Sequence, residues 1–203
     1  MATHKLTYFN MPTSRGEECR LALHIAGVPF EDERLKGPEW AARKASTPFG
    51  ALPVLTVEGM GALAQSNAIL RYVGATHGLH PTDPWEAARQ EAIMGAVEDL
   101  RVRAGPIGRI KDEEEKKKAR QEFAAGYLQE WAAAVERQIG GGPFVGGAAL
   151  NVVDLKLFVV TSPYLAGTID YISPDVFSAF PKLLRLADAV KHHPKVMEWY
   201  ARH

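Results

Sequence analysis

The sequence predicts an α/β N-terminal half followed by an all-helical C-terminal half. Three observations carry that prediction. Between Lys5 and Gly78, short apolar or β-branched runs alternate with helical patterns in the order βαβαββα. The stretch Gly78-Leu-His-Pro-Thr-Asp-Pro-Trp85 then breaks every period. Beyond it, apolar residues recur almost everywhere at helical spacing.

Taken in order, Lys5-Leu-Thr-Tyr-Phe9 alternates as a strand does. Ser14-Arg-Gly-Glu-Glu18 opens a helix whose apolar residues Cys19, Leu21, Leu23, Ile25 and Ala26 follow the period loosely until Gly27 stops it. Val28 to Leu35 reads as a second strand, and strand, helix, strand in so short a length implies a parallel pair with a right-handed crossover. Trp40 to Ala45 reads as a short helix. Val54, Leu55 and Val57 mark a third strand, and the turn Glu58-Gly-Met-Gly61 leads to a fourth and to a helix carrying Ile69, Leu70, Tyr72 and Val73. This order is that of a thioredoxin-like domain, expected over residues 1–78 with 79–85 as linker.

The second domain is expected over residues 86–203. Glu86 to Ile110 forms a long helix, with Gly105-Pro106 as a kink or break. Asp112 to Ile139 is also helical, and its pairs Asp112/Lys116, Glu113/Lys117 and Glu114/Lys118 suit a solvated face. Gly140 to Gly147 is a glycine-rich loop that lacks the Lys-Ser/Thr of a phosphate-binding loop and follows no strand. Asn151 and Asp154 then have the spacing of a capping box before a helix running to Leu165, a folding device rather than a catalytic one. Pro181 to His192 and Pro194 to Arg202 supply two more helices.

Composition bounds the function. In 203 residues, Lys+Arg and Asp+Glu balance at 24 each, so no basic field exists to attract nucleic acid or an anionic membrane. No apolar run approaches the roughly 18 to 20 residues of a membrane span, and Met-Ala-Thr-His-Lys lacks the apolar core of a signal peptide, which makes a cytoplasmic protein the expectation. A single cysteine, Cys19, excludes a disulfide framework and a cysteine-based metal site, and its helical setting suits a packing residue.

The chemistry concentrates between Pro48 and Ile69. Leu52-Pro53 enters the third strand, where a proline either simply starts the strand or forms a cis peptide. A cis bond would turn the N–H and C=O of Leu52 toward an extended peptide ligand. Gln65-Ser66 precedes a helix, so Ser66 stands where an N-cap stands, and the helix start could bind a carboxylate. Phe49-Gly-Ala-Leu-Pro-Val-Leu55 followed by Gln65-Ser-Asn-Ala-Ile69 resembles the glutathione-binding half of cytosolic glutathione transferases. In that family the proline is cis and the Gln-Ser pair holds the γ-glutamyl end of the tripeptide. The chain is thereby identified as a sigma-like, bacterial-type member of the soluble superfamily.

That resemblance implies the remaining site residues. Tyr8, at the C-terminal edge of the first strand where ligands of open α/β sheets bind, reads from pattern alone as a packed strand aromatic. Lys5 to Met11 resembles the first strand of sigma-class members, which makes Tyr8 the activator of the glutathione thiol. Arg15 corresponds to the family's arginine near the sulfur, although the loop from Met11 is one residue longer than the sigma pattern. Ser14 reads as an N-cap, while other classes use a serine here as activator. Trp40 and Lys44, at i,i+4 spacing, match residues that reach the glycine end, and Ala51 stands where many members carry a long polar residue. Asp99 aligns with an acid that in sigma-type homodimers reaches the γ-glutamyl amine of the neighbouring subunit's ligand. Met11, Thr13, Arg103 and Pro106 are candidates to face the electrophile.

The expected function is conjugation of the glutathione thiolate to small hydrophobic electrophiles, with glutathione as co-substrate and no further cofactor or metal. Glutathione-dependent isomerisation or peroxide reduction could use the same thiolate. A non-catalytic binder of glutathione or hydrophobic ligands is the alternative of a different class.

Overall fold

The computed structural model describes residues 3–202. Its elements run β1 (His4–Phe9), α1 (Ser14–Ile25), β2 (Phe30–Leu35), α2 (Gly37–Arg43), β3 (Val54–Val57), β4 (Gly61–Ala64), α3 (Ser66–His77), α4 (Pro84–Ile107), α5 (Glu113–Ala125), α6 (Tyr127–Gln138), α7 (Val152–Leu165), α8 (Pro181–Lys191) and α9 (Pro194–Arg202). They divide into two compact units, Met1–Pro84 with His192–His203, and Trp85–Lys191. The sequence grouped α9 with the helical half, yet its packing is on α1.

In the first unit the sheet order is β2-β1-β3-β4, with β1 parallel to β2 and antiparallel to β3, and β3 antiparallel to β4. This is the thioredoxin-like fold. Side chains alternate across a strand. Leu6 and Tyr8 are buried, and the Tyr8 ring meets Gly16 of α1. Thr7, on the opposite face, donates to Glu33 of β2 at 2.7 Å, and Glu33 also pairs with Arg43 of α2 at 2.6 Å. Burial alone would raise the Glu33 carboxyl, but the bonds from Arg43 and Thr7 hold it below its ordinary value. Cys19 is a fully buried packing residue.

The second unit is all-helical, built around α7, whose residues from Val152 to Thr161 are all buried. The capping box at its start is formed: Asp154 accepts from the backbone N–H of Asn151 and of Val145, each at 2.8 Å. Glu136 of α6 caps α8, accepting from the N–H groups of Lys182 and Leu183 at 2.9 Å.

Several boundaries differ from expectation. The helical stretch from Asp112 to Ile139 is two helices, broken at Gly126. Asp112 caps the first by accepting from the Glu115 N–H, and the ion pair of Lys116 is to Glu113, three residues away. Helix α4 begins at Pro84, since a first-turn proline gives up no helical hydrogen bond, and Pro106 lies inside its last turn.

Candidate active site

The strand register brings the sequence-predicted residues to one edge of the sheet. Thr7 of β1 pairs with Val54 of β3, and Val54 with Ala64 of β4. Tyr8, Leu52-Pro53 and Gln65-Ser66 flank those three paired residues, so all of them leave the sheet at the same end. The Leu52-Pro53 peptide bond is cis.

Tyr8 is only 5% exposed. A cleft of about 700 Å³ opens beside it, lined also by Phe9, Met11, Ser14, Leu35 and Lys36. Met11 is exposed at the cleft and Thr13 is half-buried where α1 begins. Arg15 lies half-buried in the first turn of α1.

Both serine caps are displaced by one residue. Thr13 holds the N-cap position of α1 and Gln65 that of α3, so Ser14 and Ser66 are the first helical residues. The backbone supplies the reason: Ser14 has φ 63° and Gln65 φ 72°, and each turns the chain sharply at its helix entrance. The Gln65 side chain makes no capping hydrogen bond to the first turn of α3. Ser66 is buried and Gln65 exposed.

Trp40 of α2 meets Phe9 edge to face, with ring centroids 5.9 Å apart. Helix α2 ends at Arg43 and Lys44 opens the 3-10 turn that follows, although the Lys44 N–H still bonds to the Trp40 carbonyl. Asp99, Arg103 and Pro106 lie in the second unit, all exposed on α4. The guanidinium of Arg103 stands 4.4 Å from the centroid of the Tyr127 ring.

Sequence reasoning missed two residues around Tyr8. Gly16 lies so near its ring that an added β-carbon would be 2.0 Å from Cδ1. Arg20 is fully buried and bonds to the carbonyls of Phe9 and Met11, the residues through which the chain leaves Tyr8. Glycine at a helix start followed by a charged residue carries no pattern that would single out either.

Among the described residues, no group of three or more His, Cys, Asp or Glu side chains could hold a metal ion. No helix among them is long and apolar enough to cross a membrane.

Residues 4–75 match the family described as glutathione S-transferase, N-terminal domain, and residues 98–203 match glutathione S-transferase, C-terminal domain. Glutathione S-transferase 1 of Ascaris suum is 34% identical, over 99% of this chain and 97% of its own. The chain belongs to the glutathione S-transferase family. It is a glutathione transferase, an enzyme whose co-substrate is glutathione. Among other relatives of this transferase, the hematopoietic prostaglandin D synthase of Gallus gallus is 31% identical over 98% of this chain and 96% of its own. A solved structure of a glutathione S-transferase from the hookworm Necator americanus, described as monomeric, superposes with a TM-score of 0.87 at 29% identity, covering 99% of this chain and 97% of that one.

Proposed function

We propose that this transferase is sigma-like and conjugates glutathione to small hydrophobic electrophiles, with Tyr8 as the group that holds the thiolate. The observation that carries this is the register of β1, β3 and β4, which sets Tyr8, Leu52 and Gln65-Ser66 at one sheet edge. An extended tripeptide laid along that edge meets the backbone of Leu52 at its middle. Its γ-glutamyl carboxylate meets Gln65, Ser66 and the backbone N–H groups at the start of α3. Arg15, Trp40, Lys44 and Pro53 complete the grip, with Trp40 and Lys44 at the glycine end.

The thiol of free glutathione has a pKa of about 8.5, so only a few per cent is thiolate at neutral pH. Lowering it by roughly 2 units requires about 2.7 kcal/mol. A hydroxyl donating to the charged sulfur, aided by the positive field of Arg15, is of that size. The thiolate then attacks the electrophilic carbon, a carbon–sulfur bond forms, and the leaving group departs with the displaced electron pair. Met11, Thr13, Arg103 and Pro106 face that electrophile in this reading.

The active unit is a cytoplasmic homodimer in which Asp99 of each chain reaches the γ-glutamyl amine held by the other. Isomerisation is the second reading, favoured by the prostaglandin D synthase among the relatives, since the same thiolate would serve it.

Retention on immobilised glutathione, followed by turnover of a generic aryl halide, tests the reading. Retention with turnover is expected. Retention without turnover would leave a binder or an isomerase, and failure to be retained would remove the glutathione site itself.

A further inference from the structure

We propose that Arg20, held through Glu17 by the C-terminal helix α9, is a positioning residue for Tyr8, so that the last turns of the chain help to set the thiol-activating hydroxyl. The inference rests on the reading of Tyr8 given above.

Arg20 is one of the largest fully buried side chains of the chain. Its guanidinium donates to the Phe9 carbonyl at 3.1 Å, the Met11 carbonyl at 2.8 Å, Asp32 Oδ1 at 2.9 Å and Glu17 Oε2 at 3.3 Å. Two of these acceptors belong to the segment immediately after Tyr8, one to β2 and one to α1. The same guanidinium lies 5.7 Å from the Tyr8 ring centroid. Arg20 therefore ties the strand end carrying Tyr8 to both of its neighbours. Arginine suits the task because its planar fork fixes several acceptors at once, which the single ammonium of lysine does not.

Arg20 is in turn held from behind. Glu17 is buried, and its other oxygen, Oε1, accepts from the indole N–H of Trp199 in α9 at 2.7 Å. The Tyr200 hydroxyl also hydrogen-bonds to Glu17. Trp199 is itself fixed by its ring, which stacks on Phe30 and lies against His24. A buried carboxylate with three donors has little freedom, and the guanidinium paired with it inherits that order. The path from α9 to the Tyr8 ring thus contains two buried charged groups, Glu17 and Arg20, each paired.

A purely structural network would cost stability when cut but leave the chemistry of the folded enzyme unchanged. The test is the pH profile of aryl-halide conjugation for the wild type, Tyr8→Phe, Arg20→Lys and the double variant Trp199→Phe/Tyr200→Phe, each confirmed folded by its melting transition. The double variant removes the two donors that α9 gives Glu17, keeps the Tyr200 ring and leaves a phenyl ring where the indole lay, so it tests the path even if Arg20→Lys fails to fold. It is expected to raise the kinetic pKa of bound glutathione by about half a unit, a factor of about three in thiolate, and Arg20→Lys by about one unit, a factor of about ten. The KM for glutathione stays within about twofold in both, because no glutathione contact is touched. Adding the double variant to Tyr8→Phe produces no further shift, since the path ends at the hydroxyl. A folded double variant whose profile coincides with the wild type, while Tyr8→Phe is shifted, overturns the inference. An unshifted Tyr8→Phe overturns instead the assignment on which it rests.

Discussion

The ring of Tyr8 lies across the first turn of α1 so closely that a β-carbon on Gly16 would stand 2.0 Å from Cδ1 and 2.3 Å from Cγ. Those are the near atoms of the ring, not its flexible end, so no small rotation relieves the clash. Gly16→Ala gains roughly 1 kcal/mol of helix propensity but forces the ring or the helix to move, which typically costs about 1 to 3 kcal/mol. Overpacking wins. The variant is expected to melt lower and to lose at least about tenfold in kcat/KM, because the hydroxyl moves with its ring. Equal activity with a lower melting temperature would separate the packing from the chemistry.

Tyr8 and Ser14 both border the cleft beside β1, and replacing each decides between them as activator. Tyr8→Phe is expected to raise the kinetic pKa of bound glutathione by one to two units, roughly 1.4 to 2.7 kcal/mol, while Ser14→Ala moves it by no more than a few tenths. The opposite pattern would transfer the role to Ser14 and change the class.

If Asp99, exposed on α4, reaches the γ-glutamyl amine of a neighbouring chain's glutathione as proposed, a two-fold pairing makes each subunit complete the other's site. Asp99→Asn is expected to weaken glutathione binding by about 1 to 3 kcal/mol through loss of a charge-assisted contact, with little change in the thiol pKa. Sedimentation supplies the control. A monomer that binds glutathione normally would leave Asp99 an ordinary surface acid.

What was legible in the sequence was whatever depends on local pattern. Alternation and proline punctuation gave the strands, and Pro53 with Gln65-Ser66 marked the sheet edge that the register assembles. The caps were misjudged by one residue because serine is a good N-cap by type, whereas the actual entrances use positive φ at Ser14 and Gln65. A one-dimensional reading has no access to φ. Arg20 was invisible for a different reason: a lone arginine in the middle of a loosely periodic helix reads as solvated, and its acceptors at Asp32, Phe9 and Met11 become neighbours only when β1, β2 and α1 pack. Gly126 was passed over because a single glycine inside a helical period is usually tolerated, yet here it ends α5 and begins α6.

Asp154 gives the helical unit a predictable pH dependence. Its carboxyl is fully exposed to no solvent, and burial pushes its pKa up to about 7 against the opposing bonds from the Val145 and Asn151 N–H groups. In an unfolded chain the same group titrates near 3.9. Between those values the folded state binds the extra proton, so stability falls as pH rises from about 4 to about 7 and levels off above, with a slope of up to about 1.4 kcal/mol per unit. Asp154→Asn removes the titration. It also turns an amide donor toward one of the two N–H groups, which costs the variant stability at every pH. Denaturant melts at pH 5 and pH 8 should therefore show the wild type's advantage over Asp154→Asn shrinking at the higher pH. An advantage that grows with pH would mean that the two N–H bonds outweigh burial and that the carboxylate is ionised across the whole range.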